Sequence, residues 1–119
     1  LADLCIAENI GVITYFSLAS GFLSGKYRSL ADAEGKARGG GMKAYLNEKG
    51  SRILDALQTV ASQTGATPAE IAIAWLLNKP GVTAPIASAT TVAQLQSLTK
   101  AATVELGAEA MTLLDKAGA

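Results

Sequence analysis

The sequence predicts an α/β fold built around a parallel sheet. Two short apolar segments, GVITYFSL from Gly11 and VTAPIASA from Val82, have the composition of buried strands, and helical patterns lie between and after them. Strands that alternate with helices pair in parallel through right-handed crossovers. Because a two-stranded parallel sheet has two open edges, we expect partner strands outside these 119 residues, as in a slice of a larger barrel or sheet.

The first half of the chain is predicted to hold a helix end, a strand and a long loop. The apolar spacing of LADLCIAENI, from Leu1, indicates the second half of a helix that ends before Gly11, where the first strand begins. Residues 28–50 mix charges with three consecutive glycines. This composition is typical of a long loop with at most a short helix near Met42–Asn47.

The second half is predicted to be mainly helical. One helix covers Ser51–Thr64 and stops at Gly65, since apolar residues recur there at helical spacing. The stretch TPAE begins the next helix, with Thr67 as cap, a proline at the first helical position and Glu70 completing a capping box. Its predicted buried stripe consists of Ile71, Ala72, Trp75 and Leu76.

Two further helices are predicted after the second strand. Thr91 is the candidate cap of the first, and Gln94 stands at the matching capping-box position. The last helix runs from about residue 108 to residue 116. The apolar residues expected to face inward are Val92, Leu95 and Leu98 in the first helix, and Met111 and Leu114 in the second.

Composition narrows the classes of partner and site. Ten basic residues balance ten acidic ones and no apolar run reaches 18 residues, so neither nucleic acid nor a membrane is an expected partner. The single cysteine, Cys5, excludes an internal disulfide and indicates a reducing, cytoplasmic setting. The absence of histidine removes the commonest general base and metal ligand, and we expect no metal site.

Two loops follow the predicted strands, at the sheet edge where parallel α/β proteins bind ligands. YFSLASGFLSGKYR, Tyr15–Arg28, offers glycines for close backbone approach, serine hydroxyls, and Lys26 as a charge for a phosphate. SATTVAQ places the hydroxyls of Ser88, Thr90 and Thr91 before a helix whose N-terminus can bind an anion. Taken singly, the first is also compatible with a solvated loop and the second with a plain helix cap.

Together and in this order, the two loops closely resemble the aldo-keto reductases. YFSLASGFLSGKYR is similar to the segment after the seventh strand of that family, often S-P-L-A-x-G-x-L-x-G-K-Y, and PIASATTVAQL to the segment after the eighth, often P-I-x-G-A-x-x-x-x-Q-L. The resemblance covers essentially the whole chain. It implies that residues 1–119 are the C-terminal part of a TIM (β/α)8 barrel, about strands 7–8 and their helices, with residues 28–50 as a long loop on the cofactor side.

The resemblance further implies the NAD(P)H-binding portion of an oxidoreductase that reduces aldehydes and ketones to alcohols, with NADP(H) expected rather than NAD(H). The implied cofactor residues are Tyr15 below the nicotinamide; Phe16, Ser17, Leu18, Ala19, Ser20 and Gly21 around the ribose and pyrophosphate; Lys26 near a phosphate; Arg38 over the adenosine; and Ser88, Thr90 and Gln94 at the 2′-phosphate and adenine. The family's usual glycine is replaced at Ser88, and its common Glu and Asn are replaced by Ser97 and Leu98.

The resemblance places catalysis outside this chain. In the family a tyrosine donates the proton, supported by Asp, Lys and usually His, all in the first half of the barrel. We therefore expect this tetrad upstream of Leu1 and assign no catalytic residue here. The chain alone is expected to be inactive and to need the N-terminal part of the barrel, in a parent that reduces a small-molecule carbonyl substrate. Two alternatives stay open: a non-catalytic regulatory subunit like the channel-associated β subunits, and an autonomous half-barrel.

Overall fold

The computed structural model describes residues 1–37 and 39–119, and a two-stranded parallel sheet organises them. Strand β1 spans Val12–Thr14 and strand β2 spans Val82–Pro85, with a register shift after Val12. At that shift the Val12 amide donates a hydrogen bond to Thr83 Oγ1 at 3.1 Å. Gly11 permits this approach, since a methyl group there would lie 2.7 Å from the same oxygen. The predicted α/β fold with parallel pairing is confirmed.

Both strands are shorter and less buried than their composition predicted. The first leaves the sheet after Thr14 and the second after Pro85, whereas the apolar segments continue for several residues. Ile13 is 62% exposed, so β1 is not covered on both faces. The reason is that no other strand among the described residues pairs with these two.

Helices make up most of the remaining described structure. The α-helices are α1 (Ala2–Ala7), α2 (Leu30–Ala33), α3 (Glu48–Thr64), α4 (Pro68–Leu77), α5 (Val92–Ala101) and α6 (Ala108–Gly118), with 3₁₀ turns at Ala19–Ser24 and Gly39–Ala44. In the part of the chain that the structure describes, none of these helices has the length and apolar character needed to cross a membrane.

Capping side chains set the boundaries of α3 and α4. Helix α3 begins three residues earlier than predicted, because Asn47 Oδ1 accepts a hydrogen bond from the Gly50 amide at 2.9 Å. It ends as predicted at Gly65, which has a φ of 73°. The predicted capping box of α4 is complete: Thr67 Oγ1 accepts from the Glu70 amide at 3.3 Å, and Glu70 Oε2 accepts from the Thr67 amide at 3.1 Å.

The predicted long loop at residues 28–50 contains more local structure than expected. Asp32 Oδ2 accepts hydrogen bonds from the amides of Arg28 and Ser29 at 3.0 and 2.8 Å, and this capping starts α2. The Arg28 amide, followed by the Ser29 hydroxyl, holds the pKa of Asp32 below its usual value. A side chain at Gly39 would overlap the Ala33 carbonyl, so this glycine lets the 3₁₀ turn fold back against α2.

The core lies where α3, α4 and α6 meet the two 3₁₀ turns. Met42, Val60 and Ile71 are fully buried there, and Phe22 stacks on Tyr45 with ring centroids 5.4 Å apart. Each such apolar side chain contributes about 1.5–3 kcal/mol when fully buried.

A second set of apolar residues remains exposed on α1 and α5. Val92 and Leu95, predicted to face inward from α5, are 72% and 55% exposed, and only Leu98 of that predicted face is half-buried. The cause is that no described element packs against this side. The accessible surface is 7463 Å², against about 6,000 Å² expected for a folded monomer of this mass.

Candidate functional site

The carboxyl ends of β1 and β2 border a cleft of about 610 Å³. Its walls come from the loop after β1, the residues directly after β2 and the second 3₁₀ turn. The lining residues are Tyr15, Phe16, Ser17, Leu18, Ser20, Gly21, Gly41, Ile86, Ala87 and Ser88. Ligand pockets usually measure about 300–1,000 Å³, so the structure unites the two predicted loops in one cleft of ligand size.

Two aromatic rings stand at the strand end of the cleft. Tyr15 is 77% exposed and Phe16 is 66% exposed, and the rings meet edge to face with centroids 4.8 Å apart. In such an edge contact each ring keeps at least one face free of its neighbour and available for stacking. The arrangement therefore offers a flat apolar platform beside β1.

The wall next to this platform has an unusual backbone. Ala19, Ser20 and Gly21 have φ angles of 48°, 58° and 98°, a left-handed run that L-residues seldom adopt. The turn is fixed by Ser24 Oγ, which donates to the Gly21 carbonyl at 2.7 Å, and by Phe22, which is buried in the core. Strained backbone of this kind clusters at binding sites, where the surrounding fold holds it in place.

Ser17 turns the chain out of β1. Its side chain is buried, and Oγ lies 2.9 Å from both the carbonyl oxygen and Oγ1 of Thr14. Ser17 borders the cleft. Its hydroxyl proton is not available to a ligand, because the hydroxyl donates to the Thr14 carbonyl.

Lys26 and Ala19 lie outside the cleft lining. The Lys26 side chain is exposed and passes close to Gly21, one of the lining residues. A methyl group built at Gly21 would lie 3.9 Å from Lys26 Nζ. The same ammonium lies 5.0 Å from the centre of the Tyr27 ring. Ala19 packs against the core. The structure thus places a positive charge at the rim of the cleft, next to its glycine wall.

Thr90 and Gln94 also lie outside the lining and form the cap of α5. Thr91 Oγ1 accepts from the Gln94 amide at 3.1 Å. Gln94 Oε1 accepts from the amide and hydroxyl of Thr90 at 2.7 and 3.0 Å, one residue earlier than the predicted capping box. The first amides of α5, at Val92 and Ala93, have no acceptor within the helix and mark its positive end.

Arg38, predicted to close over the adenosine, lies outside the described residues. Three lining residues escaped prediction. These are Ile86, Ala87 and Gly41. Ile86 and Ala87 directly precede the predicted residue Ser88, so their place in the lining could have been inferred from it. Gly41 reaches the cleft only through the fold of residues 28–50. Across residues 1–37 and 39–119, no group of three or more His, Cys, Asp or Glu side chains is placed to hold a metal ion.

Comparison with known proteins adds independent information. The sequence profile of the aldo/keto reductase family matches residues 1–119. An uncharacterized oxidoreductase of Mycobacterium tuberculosis is 38% identical over 117 residues, which is 92% of this chain and 34% of that protein. An uncharacterized oxidoreductase of Bacillus subtilis is 32% identical over 106 residues, covering 89% of this chain and 31% of that protein.

A third relative is a probable voltage-gated potassium channel subunit beta of Arabidopsis thaliana. It is 33% identical over 104 residues, covering 82% of this chain and 31% of that protein. The chain therefore spans about a third of the length of the curated relatives it matches.

Proposed function

Since the chain belongs to the aldo/keto reductase family, whose fold is a TIM barrel, we propose that it supplies the nicotinamide-dinucleotide site of an oxidoreductase that reduces aldehydes and ketones to alcohols. It then corresponds to the C-terminal part of the barrel, about strands 7–8 and their helices. The observation that carries the proposal is that both family-like loops line one and the same cleft. This cleft lies at the carboxyl ends of two parallel strands.

The residues of the cleft fit such a dinucleotide. The exposed Tyr15 ring suits a flat nicotinamide, and the left-handed turn at Ser20 and Gly21 presents backbone without bulky side chains to a pyrophosphate. The hydroxyls of Ser20 and Ser88 both border the cleft, and neither is hydrogen-bonded to another described residue. These groups supply a stacking surface and hydrogen-bond donors in one continuous wall.

Charge supports NADP(H) as the dinucleotide. Residues 26–52 hold seven of the ten basic residues and three of the ten acidic ones, and this segment includes Gly41 in the cleft wall and Lys26 at its rim. An excess of positive charge in one segment attracts phosphate groups, although Arg28 is paired with Asp55 and Arg52 with Glu48. The start of α5, four residues after Ser88, has amides without an acceptor in the helix and adds a further anion-binding position.

The bound dinucleotide supplies the hydride, and the chain's own residues bind and orient it. Tyr15 fixes the plane of the nicotinamide, and Ser20, Gly21 and Lys26 hold the pyrophosphate. Ser88, Thr90, Gln94 and Arg38 act on the adenosine side. For Thr90 and Gln94 this means acting through the α5 cap, because their side chains are bonded to one another.

The proton donor belongs to the remainder of the barrel in this proposal, and residues 1–119 alone are inactive. Exposed apolar residues on β1, α1 and α5 support the need for that remainder, since they form a surface suited to packing against further strands and helices. The single cysteine of these 119 residues favours a reducing, cytoplasmic setting for the parent in this proposal.

A second candidate is a cofactor-binding regulatory subunit. It is favoured by the Arabidopsis relative that is named as a probable potassium channel subunit beta. Both candidates use the same cleft, and they differ in turnover: the enzyme oxidises bound NADPH when an aldehyde is added, whereas the regulatory subunit retains it.

The proposal is tested by titrating the intact protein that carries this chain with NADPH and NADH, following the fluorescence of the reduced nicotinamide. We expect saturable binding, and about tenfold weaker binding for Lys26→Met, the loss of a phosphate contact of about 1.4 kcal/mol. Lys116→Met, on the exposed face of α6, is the matched control and should bind as the wild type does. Absence of saturable binding by both dinucleotides would refute the proposal.

A further inference from the structure

Glu70 on α4 is a buried carboxylate whose two oxygens are both engaged. It is 4% exposed. Ser97 Oγ, on α5, donates to Oε1 at 2.7 Å, the Thr67 amide donates to Oε2 at 3.1 Å, and Lys100 Nζ lies 3.6 Å from Oε2. A carboxylate is retained in such a position only when its partners replace water. The two helices are therefore joined by a polar contact that depends on both Ser97 and Lys100.

The environment keeps Glu70 ionised. Burial by itself disfavours the charge, but the hydrogen bonds from Ser97 and Thr67 and the Lys100 ammonium outweigh it, so the pKa of Glu70 lies below its usual value. At neutral pH the contact is consequently a charged one, and charge-assisted hydrogen bonds are stronger and shorter than neutral ones.

Apolar packing alone holds α5 weakly. Ala101 is its only fully buried residue, Leu98 is half-buried, and Val92 and Leu95 are largely exposed. Small and half-buried side chains bury little apolar area, so they restrain the rotation and sliding of a helix against its neighbour only weakly. The contact of Ser97 and Lys100 with Glu70 fixes both motions, since it joins two successive turns of α5 to one point on α4.

The cleft ends four residues before the same helix begins. Ser88 lines the cleft, and the Thr91–Gln94 cap follows three residues later. Thr91 lies six residues before Ser97, about 9 Å along a rigid helix. A shift of α5 at Ser97 is therefore transmitted to the amides at its N-terminus.

We infer that Glu70 is a positioning residue for the dinucleotide site, acting through Ser97 and Lys100 to set where the N-terminus of α5 lies relative to the cleft lining at Ser88. The inference rests on the proposed function. Glu70 itself touches neither the cleft nor its lining residues.

The test compares Ser97→Ala and Glu70→Gln with Thr99→Ala in the intact protein. Thr99 is the matched control, because its hydroxyl lies on the same helix and donates to the Gln96 carbonyl instead of to Glu70. We expect Ser97→Ala and Glu70→Gln to raise the Kd for NADPH about five- to tenfold while the KM for the carbonyl substrate is unchanged. Ser97→Thr keeps the hydroxyl and should restore the wild-type Kd.

Circular dichroism identifies any variant that fails to fold. If Glu70→Gln does not fold, the NADPH affinity of Ser97→Ala alone tests the role of Glu70. The inference is overturned if folded Ser97→Ala binds NADPH like the wild type, or if Thr99→Ala weakens binding equally. Failure of the wild type to bind any dinucleotide would instead overturn the proposed function, and the inference with it. The wild-type titration separates that outcome from the others.

Discussion

Ser20, in the cleft wall, has a backbone conformation that is unfavourable for an L-residue. Its φ of 58° and ψ of 23° are left-handed, and Ala19 before it has a φ of 48°. Each such L-residue costs about 1–2 kcal/mol relative to the right-handed form. Burial of Phe22 on one side and the sheet on the other hold the turn in this shape, so that the wall is formed before a ligand arrives.

Substitutions at Ser20 test whether this backbone shape matters for binding. Valine is β-branched and opposes a positive φ, so Ser20→Val should distort the turn and weaken NADPH binding by at least about tenfold, the equivalent of 1–2 kcal/mol of strain. Ser20→Gly removes the hydroxyl but accepts the conformation, and should weaken binding less than Ser20→Val does. Equal affinities for the valine variant and the wild type would show that the turn does not shape the site.

At the scale of the element, α6 is attached to α4 through one exposed carboxylate. Asp115 Oδ1 accepts hydrogen bonds from Trp75 Nε1 at 2.8 Å and from Lys79 Nζ at 3.1 Å, and the Lys79 ammonium lies 5.1 Å from the Trp75 ring centre. The hydrogen bond from Lys79, followed by that from Trp75, lowers the pKa of Asp115 below its usual value of 3.8.

This attachment should loosen in acid. Because the pKa of Asp115 is lower in the folded protein than in the unfolded chain, its contribution is complete above pH 3.8 and is lost as the pH falls through the lower, folded value. The indole N–H resonance of Trp75 should shift in that range in the wild type and stay nearly constant in Asp115→Asn. Asp55→Asn, which removes an exposed partner of Arg28, should keep the shift. A wild-type shift that persists in Asp115→Asn would contradict this attribution.

The elements could be predicted from sequence wherever a local rule decided them. The capping box at Thr67 and Glu70 and the stop at Gly65 are local, and both are present as predicted. The start of α3 was misplaced because Gly50 resembles a loop residue. In the structure it lies inside the helix, where a side chain would overlap the Tyr45 carbonyl and tertiary packing requires glycine.

At the scale of the whole molecule, parallel pairing of β1 and β2 made the position of the cleft predictable. Their carboxyl ends share one edge, so the loops after Thr14 and Pro85 had to meet. The part played by Gly41 was not predictable, because it depends on the fold of residues 28–50 against the core. The exposure of Val92 was also missed, since a sequence shows that a residue is apolar but not which element covers it.

The most direct test of the dinucleotide site is amide hydrogen exchange of the intact protein with and without NADPH. We expect exchange to slow at residues 15–21 and 86–94, which carry most of the cleft lining and the α5 cap that follows it. Exchange should change little in α6, none of whose residues lines the cleft and which serves as the internal reference. A protein that binds NADPH without slower exchange in either segment would contradict the assignment of the cofactor site to this cleft.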